Sequence, residues 1–169
     1  MQNTDMTSEA PLRVAALYQF TRFEDCSAYR GDLERVCKQN GLRGTLLLAP
    51  EGINGTLAGT PAAIDVLLDH IRTLPGCADL EVKFSTALDM PFRRMKVRLK
   101  REIVTLGVPG TDPNRTVGQY VEPEDWNALI SDPDVVLIDT RNAYEVRLGT
   151  FEGAIDPATE AFSDLPDWA

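Results

Sequence analysis

Residues 90–107 read MPFRRMKVRLKREIVTLG, and they decide how the rest of this 169-residue sequence is interpreted. Between positions 93 and 101 this stretch holds six of the chain's seventeen cations without an intervening acid, namely Arg93, Arg94, Lys96, Arg98, Lys100 and Arg101. From Met95 onward, apolar and cationic residues alternate with a period of two. This is the pattern of a half-buried strand, so the stretch predicts a strand with one packed side and one charged side.

The charged side of this strand has two interpretations. Strands often expose lysine to discourage pairing at a sheet edge, so a merely solvated side is one of them. However, neighbouring like charges repel, and a chain with 26 acidic residues could have interleaved them. We therefore favour a phosphate-bearing partner, with nucleic acid as the first candidate.

The charge of the chain is divided unevenly along its length. The formal net charge is −9, yet residues 1–108 carry fourteen cations and thirteen acids, whereas residues 109–169 carry three and thirteen. The acidic balance therefore belongs to the second segment and does not exclude a local RNA-binding surface in the first. We find no apolar run of membrane-spanning length and no signal-peptide pattern, so we expect a cytoplasmic protein without a membrane partner.

The cysteines and the single histidine do not suggest a metal site. Cys26, Cys37 and Cys77 are odd in number and match no metal-ligand spacing, so we expect buried, reduced thiols. His70 lies near the end of a predicted helix, where charge stabilisation of the helix end is a simpler role than catalysis.

The first segment predicts an α+β domain over residues 13–108, after a flexible leader at 1–12. Its predicted order is strand, helix, two strands, helix and strand, and the basic stretch supplies an additional strand. Asp25 or Ser27 can cap the first helix, and Thr60 can cap the second. This order is that of the ferredoxin-like, split βαβ arrangement, in which both helices cover one side of an antiparallel sheet.

The sequence EGINGT at 51–56 contains a hairpin signal. Asn54-Gly55 favours a tight turn, and Gly52 and Gly55 can adopt positive φ at low cost. We predict that Gly52, Asn54 and Gly55 form a loop near the candidate site. A set of backbone amides that contact a phosphate is the alternative.

The second segment predicts a linker at 109–122 and an incomplete α/β domain at 123–169. A buried strand at 135–138 (VVLI) is expected to run into Asp139 and Arg141, with Glu145 on the following helix. These charges could face a ligand crevice, or Asp139 and Arg141 could contact each other and order the loop. Only about 45 residues follow Pro123, fewer than a domain of this type generally needs.

Four stretches resemble a known family: EGINGT at 51–56, residues 90–107, YVEPEDWNALI at 120–130 and LIDTRNAYEVRLGTFEGAI at 137–155. Together they resemble the bacterial oxygen-dependent tRNA uridine hydroxylases with a rhodanese-like domain. The resemblance implies 5-hydroxylation of the wobble uridine, the tRNA anticodon arm as partner, and molecular oxygen as co-substrate with no cofactor identified. It also implies that Asp139, Arg141 and Glu145 line a rhodanese crevice, with Thr150 where the rhodanese pattern has histidine.

Members of this family continue into a cysteine-containing loop that carries the presumed reactive thiol, and this sequence ends at Ala169 before reaching it. We therefore expect an N-terminal fragment with no catalytic residue of its own, which supplies mainly tRNA binding and is inactive alone. Sulfur transfer through a rhodanese persulfide and a non-catalytic RNA-binding module are the alternatives. The sequence does not predict an oligomeric state.

Overall fold

The computed structural model describes residues 11–108 and 118–169. The chain divides into two compact units, Met1–Ile103 and Val104–Ala169. Most of the predicted leader and the greater part of the predicted linker lie outside the described residues. The domain limits proposed from the sequence therefore stay predictions.

The first unit is a five-stranded sheet with two helices. Its strands are β1 (Leu12–Phe20), β2 (Arg43–Ala49), β3 (Gly52–Gly59), β4 (Glu81–Ala87) and β5 (Met95–Leu99). Its helices are α1 (Arg30–Gln39), which follows a 3₁₀ turn at Cys26–Tyr29, and α2 (Pro61–Arg72). The strand order is β4-β1-β3-β2-β5. The first four strands pair antiparallel, whereas β5 pairs parallel with β2. This confirms the ferredoxin-like prediction and places the additional strand at an edge.

Both helices form where the sequence predicts them. The Asp25 carboxylate accepts a hydrogen bond from the Ser27 amide at 3.0 Å, and Gly41 ends the turn after α1 with a φ of 65°. The Thr60 hydroxyl accepts from the Ala63 amide at 3.2 Å, which caps α2. The helices cover one side of the sheet. The core side chains that are at most 1% exposed include Leu17, Leu33, Leu46, Leu48, Ile53, Leu57, Ile64, Leu67 and Ile71.

The predicted Asn54-Gly55 hairpin turn is wrong. Ala49 pairs with Gly52, so the β2–β3 turn consists of Pro50 and Glu51, and Asn54 and Gly55 lie inside β3. β3 is paired on both sides, and this pairing overrides the local turn preference. Gly55 does not adopt positive φ; a Cβ there would instead overlap the backbone oxygen of the neighbouring strand.

The edge strand β4 departs from the alternation of its sequence. Apolar and polar residues alternate over residues 80–85, which predicts that Phe84 packs, yet Phe84 is 54% exposed. Its strand pairs on one side only, and the guanidinium of Arg13 lies 5.2 Å from the centre of its ring. A cation thus covers part of an aromatic ring that the helices do not reach.

The second unit contains α3 (Pro123–Ile130), α4 (Ala143–Val146), a 3₁₀ turn at Phe162–Asp164 and α5 (Leu165–Trp168). The predicted buried strand at 135–138 is wrong, because Val136 is 68% exposed and only a single parallel bridge joins Ile138 to Ile155. A buried parallel strand needs neighbours on both sides, and the described residues of this unit supply one bridging residue. Across the described ranges, no helix is long and apolar enough to cross a membrane.

Gly52 provides a test of the β2–β3 hairpin, in which it is the first residue of β3. Its φ is 144°, and a Cβ would overlap the carbonyl oxygen of Gln19. We expect Gly52→Ala to lower the free energy of unfolding by about 1–3 kcal/mol, measured by urea denaturation. The control is Gly31→Ala in α1, where nothing lies within 4 Å of the added methyl. That change should stabilise the protein by about 0.5–1 kcal/mol. Equal stability of Gly52→Ala and the wild type would contradict this geometry.

Candidate nucleic-acid interface

The basic stretch, residues 93–101, is centred on the edge strand β5. Val97 is 4% exposed and belongs to the core, and Met95 packs against it. Because side chains alternate along a strand, Lys96 and Arg98 leave β5 on the opposite side, as predicted. Leu99 was expected to pack, but it lies at the end of the strand and is 42% exposed.

In the part of the chain that the structure describes, the cations of the basic stretch are free of ion pairs, a property they share with some other cations but not with most of the helical arginines. Within residues 11–108 and 118–169, none of the six forms an ion pair. Five other arginines in the same ranges do form one, namely Arg13, Arg30, Arg35, Arg72 and Arg141. The charge of the basic stretch is thus available to an anionic partner.

A cleft of about 650 Å³ lies between α1 and the edge of β5, and we call it the edge cleft. Arg94, Lys96 and Arg98 contribute to it from the basic stretch. The fold adds three cations that sequence reasoning missed, Arg30, Lys38 and Arg43. They lie far away along the chain, and no local pattern marks them. Parallel pairing of β2 with β5, together with the contact of α1 with β5, brings them there.

The EGINGT segment is a structural anchor for the residues that follow β5. The Glu51 carboxylate accepts a hydrogen bond from the Ile103 amide at 2.6 Å, and the Asn54 side chain donates to the Ile103 carbonyl at 2.9 Å. Ile103 is 2% exposed. The loop prediction is therefore wrong for Asn54 and Gly55, which are strand residues, whereas a role of these residues and Gly52 near a binding site stays a prediction.

In the second unit, Asp139 and Arg141 contact each other directly. The Asp139 carboxylate, 8% exposed, accepts hydrogen bonds from Arg141 Nε at 2.9 Å and Thr150 Oγ1 at 2.8 Å. The Arg141 hydrogen bonds, followed by that of Thr150, hold the pKa of Asp139 well below its usual range, and Asp139 in turn raises the pKa of Arg141. Glu145 accepts from the Asn142 amide at 3.3 Å in a capping box. The loop-ordering contact is thus present, and a rhodanese crevice at these residues stays a prediction.

Two of the three cysteines are buried, and the cysteines and His70 form no metal-binding group in the described residues. Cys37 and Cys77 are buried, and burial raises the pKa of the Cys37 thiol to about 12 and that of Cys77 to about 11. Cys26 is half-buried and reduced. His70 lies in the last turn of α2, as predicted. Nowhere in 11–108 and 118–169 do three or more His, Cys, Asp or Glu side chains group as metal ligands.

These thiol environments predict selective labelling. At pH 8, well below their raised pKa values, Cys37 and Cys77 are protonated and buried, so they should not react with Ellman's reagent in the folded protein. We expect one rapidly reacting thiol, Cys26, in the native state and three after unfolding. Folded Cys26→Ser should show no rapid phase. Labelling of Cys37 or Cys77 at the rate of Cys26 would contradict these environments.

The anchor on Ile103 can be tested separately. Asn54→Ala removes the donor to a buried carbonyl, so we expect the free energy of unfolding to fall by about 1–3 kcal/mol. Thr56→Ala, two residues further along β3 at an exposed position, is the control and should change it by less than about 0.5 kcal/mol. If both variants unfold with the wild-type midpoint, the hydrogen bond has no stabilising role.

Comparison with known proteins agrees with this architecture. The UPF0176 acylphosphatase-like domain matches residues 12–103. The chain is 66% identical over 159 residues to a tRNA uridine(34) hydroxylase of Caulobacter vibrioides (strain NA1000 / CB15N), and 62% identical over 158 residues to one of Gluconobacter oxydans (strain 621H). Each alignment covers 94% of this chain and 50% of the relative.

Among solved structures, an acylphosphatase from Bacillus subtilis is 16% identical with a TM-score of 0.41, covering 52% of this chain and 98% of that one. The chain thus spans about half the length of the curated relatives it matches. Since the matched domain covers more than half of its residues, the chain belongs to the family of the UPF0176 acylphosphatase-like domain.

Proposed function

We propose that this chain is the tRNA-binding part of a tRNA uridine hydroxylase, which adds a hydroxyl group to carbon 5 of the wobble uridine in the anticodon loop. The relatives named tRNA uridine(34) hydroxylase support the reaction and the substrate. Molecular oxygen as co-substrate is part of the same proposal. The observation that carries the binding role is the basic stretch, whose six cations form no ion pair within the described residues.

The charge distribution favours an RNA partner over a solvated strand edge. The first 108 residues hold almost equal numbers of cations and acids, and α1 and α2 use several of their acids in local ion pairs. The fold therefore concentrates the unpaired cations around β5. Like charges on one surface repel each other, and binding a polyphosphate chain offsets that repulsion while releasing counterions.

The chemical step is proposed to depend on residues outside this chain. The buried thiols of Cys37 and Cys77 have raised pKa values, so neither is a nucleophile near neutral pH. Insertion of one atom of molecular oxygen into a C–H bond leaves the other atom to be reduced to water, and a two-electron donor must supply that reduction. We assign to the described residues the task of holding the tRNA.

Binding through the basic stretch predicts a change in salt dependence. The slope of log affinity against log salt is negative, and each lost phosphate contact reduces its magnitude by roughly 0.7–0.9. The double variant Lys96→Gln/Arg98→Gln should therefore flatten the slope for unmodified tRNA by about 1.4–1.8. The control Arg35→Gln/Arg72→Gln removes the same charge from two arginines already paired with Asp32 and Asp69. A slope that changes equally in both folded variants would remove the support for this surface.

The proposed reaction predicts a nucleoside phenotype. A strain lacking the gene that encodes this chain should lose 5-hydroxyuridine-type nucleosides from its tRNA, as measured by mass spectrometry. The whole gene should restore them, and the 169-residue chain alone should not. Loss of a sulfur-containing nucleoside with hydroxyuridine unchanged would instead indicate sulfur transfer. An unchanged nucleoside profile would indicate a non-catalytic RNA-binding module.

A further inference from the structure

The edge cleft combines buried apolar side chains with cations. Its floor includes two apolar side chains, Leu42 and Val97, which are 3% and 4% exposed. Cationic residues of three elements, α1, β2 and β5, line the cleft, and the Lys96 and Arg98 side chains leave β5 at its edge on the side opposite Val97. Charges above a low-dielectric surface act on an anion more strongly than charges fully surrounded by water.

The balance of charge in the edge cleft is strongly positive. Six cations line it, namely Arg30, Lys38, Arg43, Arg94, Lys96 and Arg98, together with one acid, Glu34. Arg30 Nε donates to the Glu34 carboxylate at 2.9 Å, so the single acid is already neutralised by one of the six. Five cations remain, and none of them forms an ion pair within the described residues.

The β1–β3–β4 part of the open sheet face, opposite the two helices, offers a weaker anion site. A smaller cleft of about 320 Å³ on the β1–β3–β4 part of the sheet has Glu81 and Lys83 as its charged lining residues, one of each sign. Attraction and repulsion of an anion largely cancel there. A negatively charged strand is therefore attracted to the β5 edge more strongly than to this part of the open face.

The backbone of β5 presents polar groups at the sheet edge. The Arg94 carbonyl accepts from the Gly44 amide at 3.2 Å, and the Lys100 amide donates to the Leu48 carbonyl at 2.8 Å. The N–H and C=O groups of one residue in a strand point to the same side, and this side alternates from one residue to the next. The backbone groups of the even-numbered residues of β5 therefore face β2. The amides and carbonyls of Met95 and Val97 consequently point away from β2, as expected of an edge strand, so any contact with phosphate there depends on the side-chain cations.

We infer that the edge cleft binds backbone phosphates of the tRNA through Lys38 and Arg43 together with β5, so that the RNA crosses the edge of the sheet. The inference deepens the proposed function and rests on it. Lys38 and Arg43 are exposed and lie outside every motif that the sequence singled out. They extend the phosphate contacts beyond the basic stretch and set the direction in which the RNA runs from β5 towards α1.

The test compares two double variants for binding to unmodified tRNA over a range of salt concentrations. Lys38→Gln/Arg43→Gln removes the two inferred contacts, and Arg35→Gln/Arg72→Gln is the matched control. We expect the first to flatten the slope of log affinity against log salt by about 1.4–1.8 and the control to leave it unchanged. Far-ultraviolet circular dichroism and the thermal midpoint establish that both variants are folded.

The possible outcomes separate the inference from the proposed function. If Lys96→Gln/Arg98→Gln flattens the slope and Lys38→Gln/Arg43→Gln does not, the inference is overturned and the proposed function stands. If neither variant changes the slope, both are overturned. A second probe is inorganic pyrophosphate, compared with chloride at equal ionic strength. A thermal stabilisation by pyrophosphate that depends on Lys38 and Arg43, with an unchanged tRNA slope, would assign the cleft to a small phosphate ligand and overturn the RNA contact.

Discussion

Parallel pairing of β5 with β2 is the constraint on which the arrangement of the first unit depends. β2 is an interior strand only because β5 pairs with its outer side, and β5 itself pairs on one side alone. Parallel strands cannot be joined by a tight turn, so β3, α2 and β4 all intervene between the two. The basic stretch thereby becomes the sheet edge beside α1, and cations distant in sequence gather around one cleft.

The two most distinctive motifs of the sequence form one structural unit because of this pairing. As β5 leaves the sheet, Glu51 and Asn54 bind both backbone polar groups of Ile103. The turn that carries Glu51 is itself fixed, because the carbonyls of Pro50 and Glu51 accept hydrogen bonds from the amides of Phe23 and Thr21 at 2.9 and 3.0 Å. EGINGT thus fixes the end of the basic stretch to the centre of the sheet. Its glycines permit close approach of the neighbouring backbone.

Local pattern predicted much of this unit and failed where pairing between distant segments decides the structure. The cap at Thr60 predicted the start of α2, and alternation predicted β5. Asn54-Gly55 has the local preference of a turn, but Asn54 pairs with Leu47 and Tyr18 on both sides. Lys38 and Arg43 gave no signal because their proximity to β5 arises from the topology. In the second unit, the VVLI run has strand propensity, yet one bridging residue cannot bury it.

The central claim is that the tRNA crosses the β5 edge of the sheet. Hydrogen–deuterium exchange of the chain with and without unmodified tRNA tests it most directly, because this measurement reports where the RNA lies on the sheet. If the RNA crosses the β5 edge, tRNA should slow the exchange of backbone amides in residues 93–101 and around residues 38–43. The amides of β4, at the opposite edge, should be unaffected. Slower exchange confined to β4 and β1, with β5 unchanged, would place the RNA elsewhere and contradict the account.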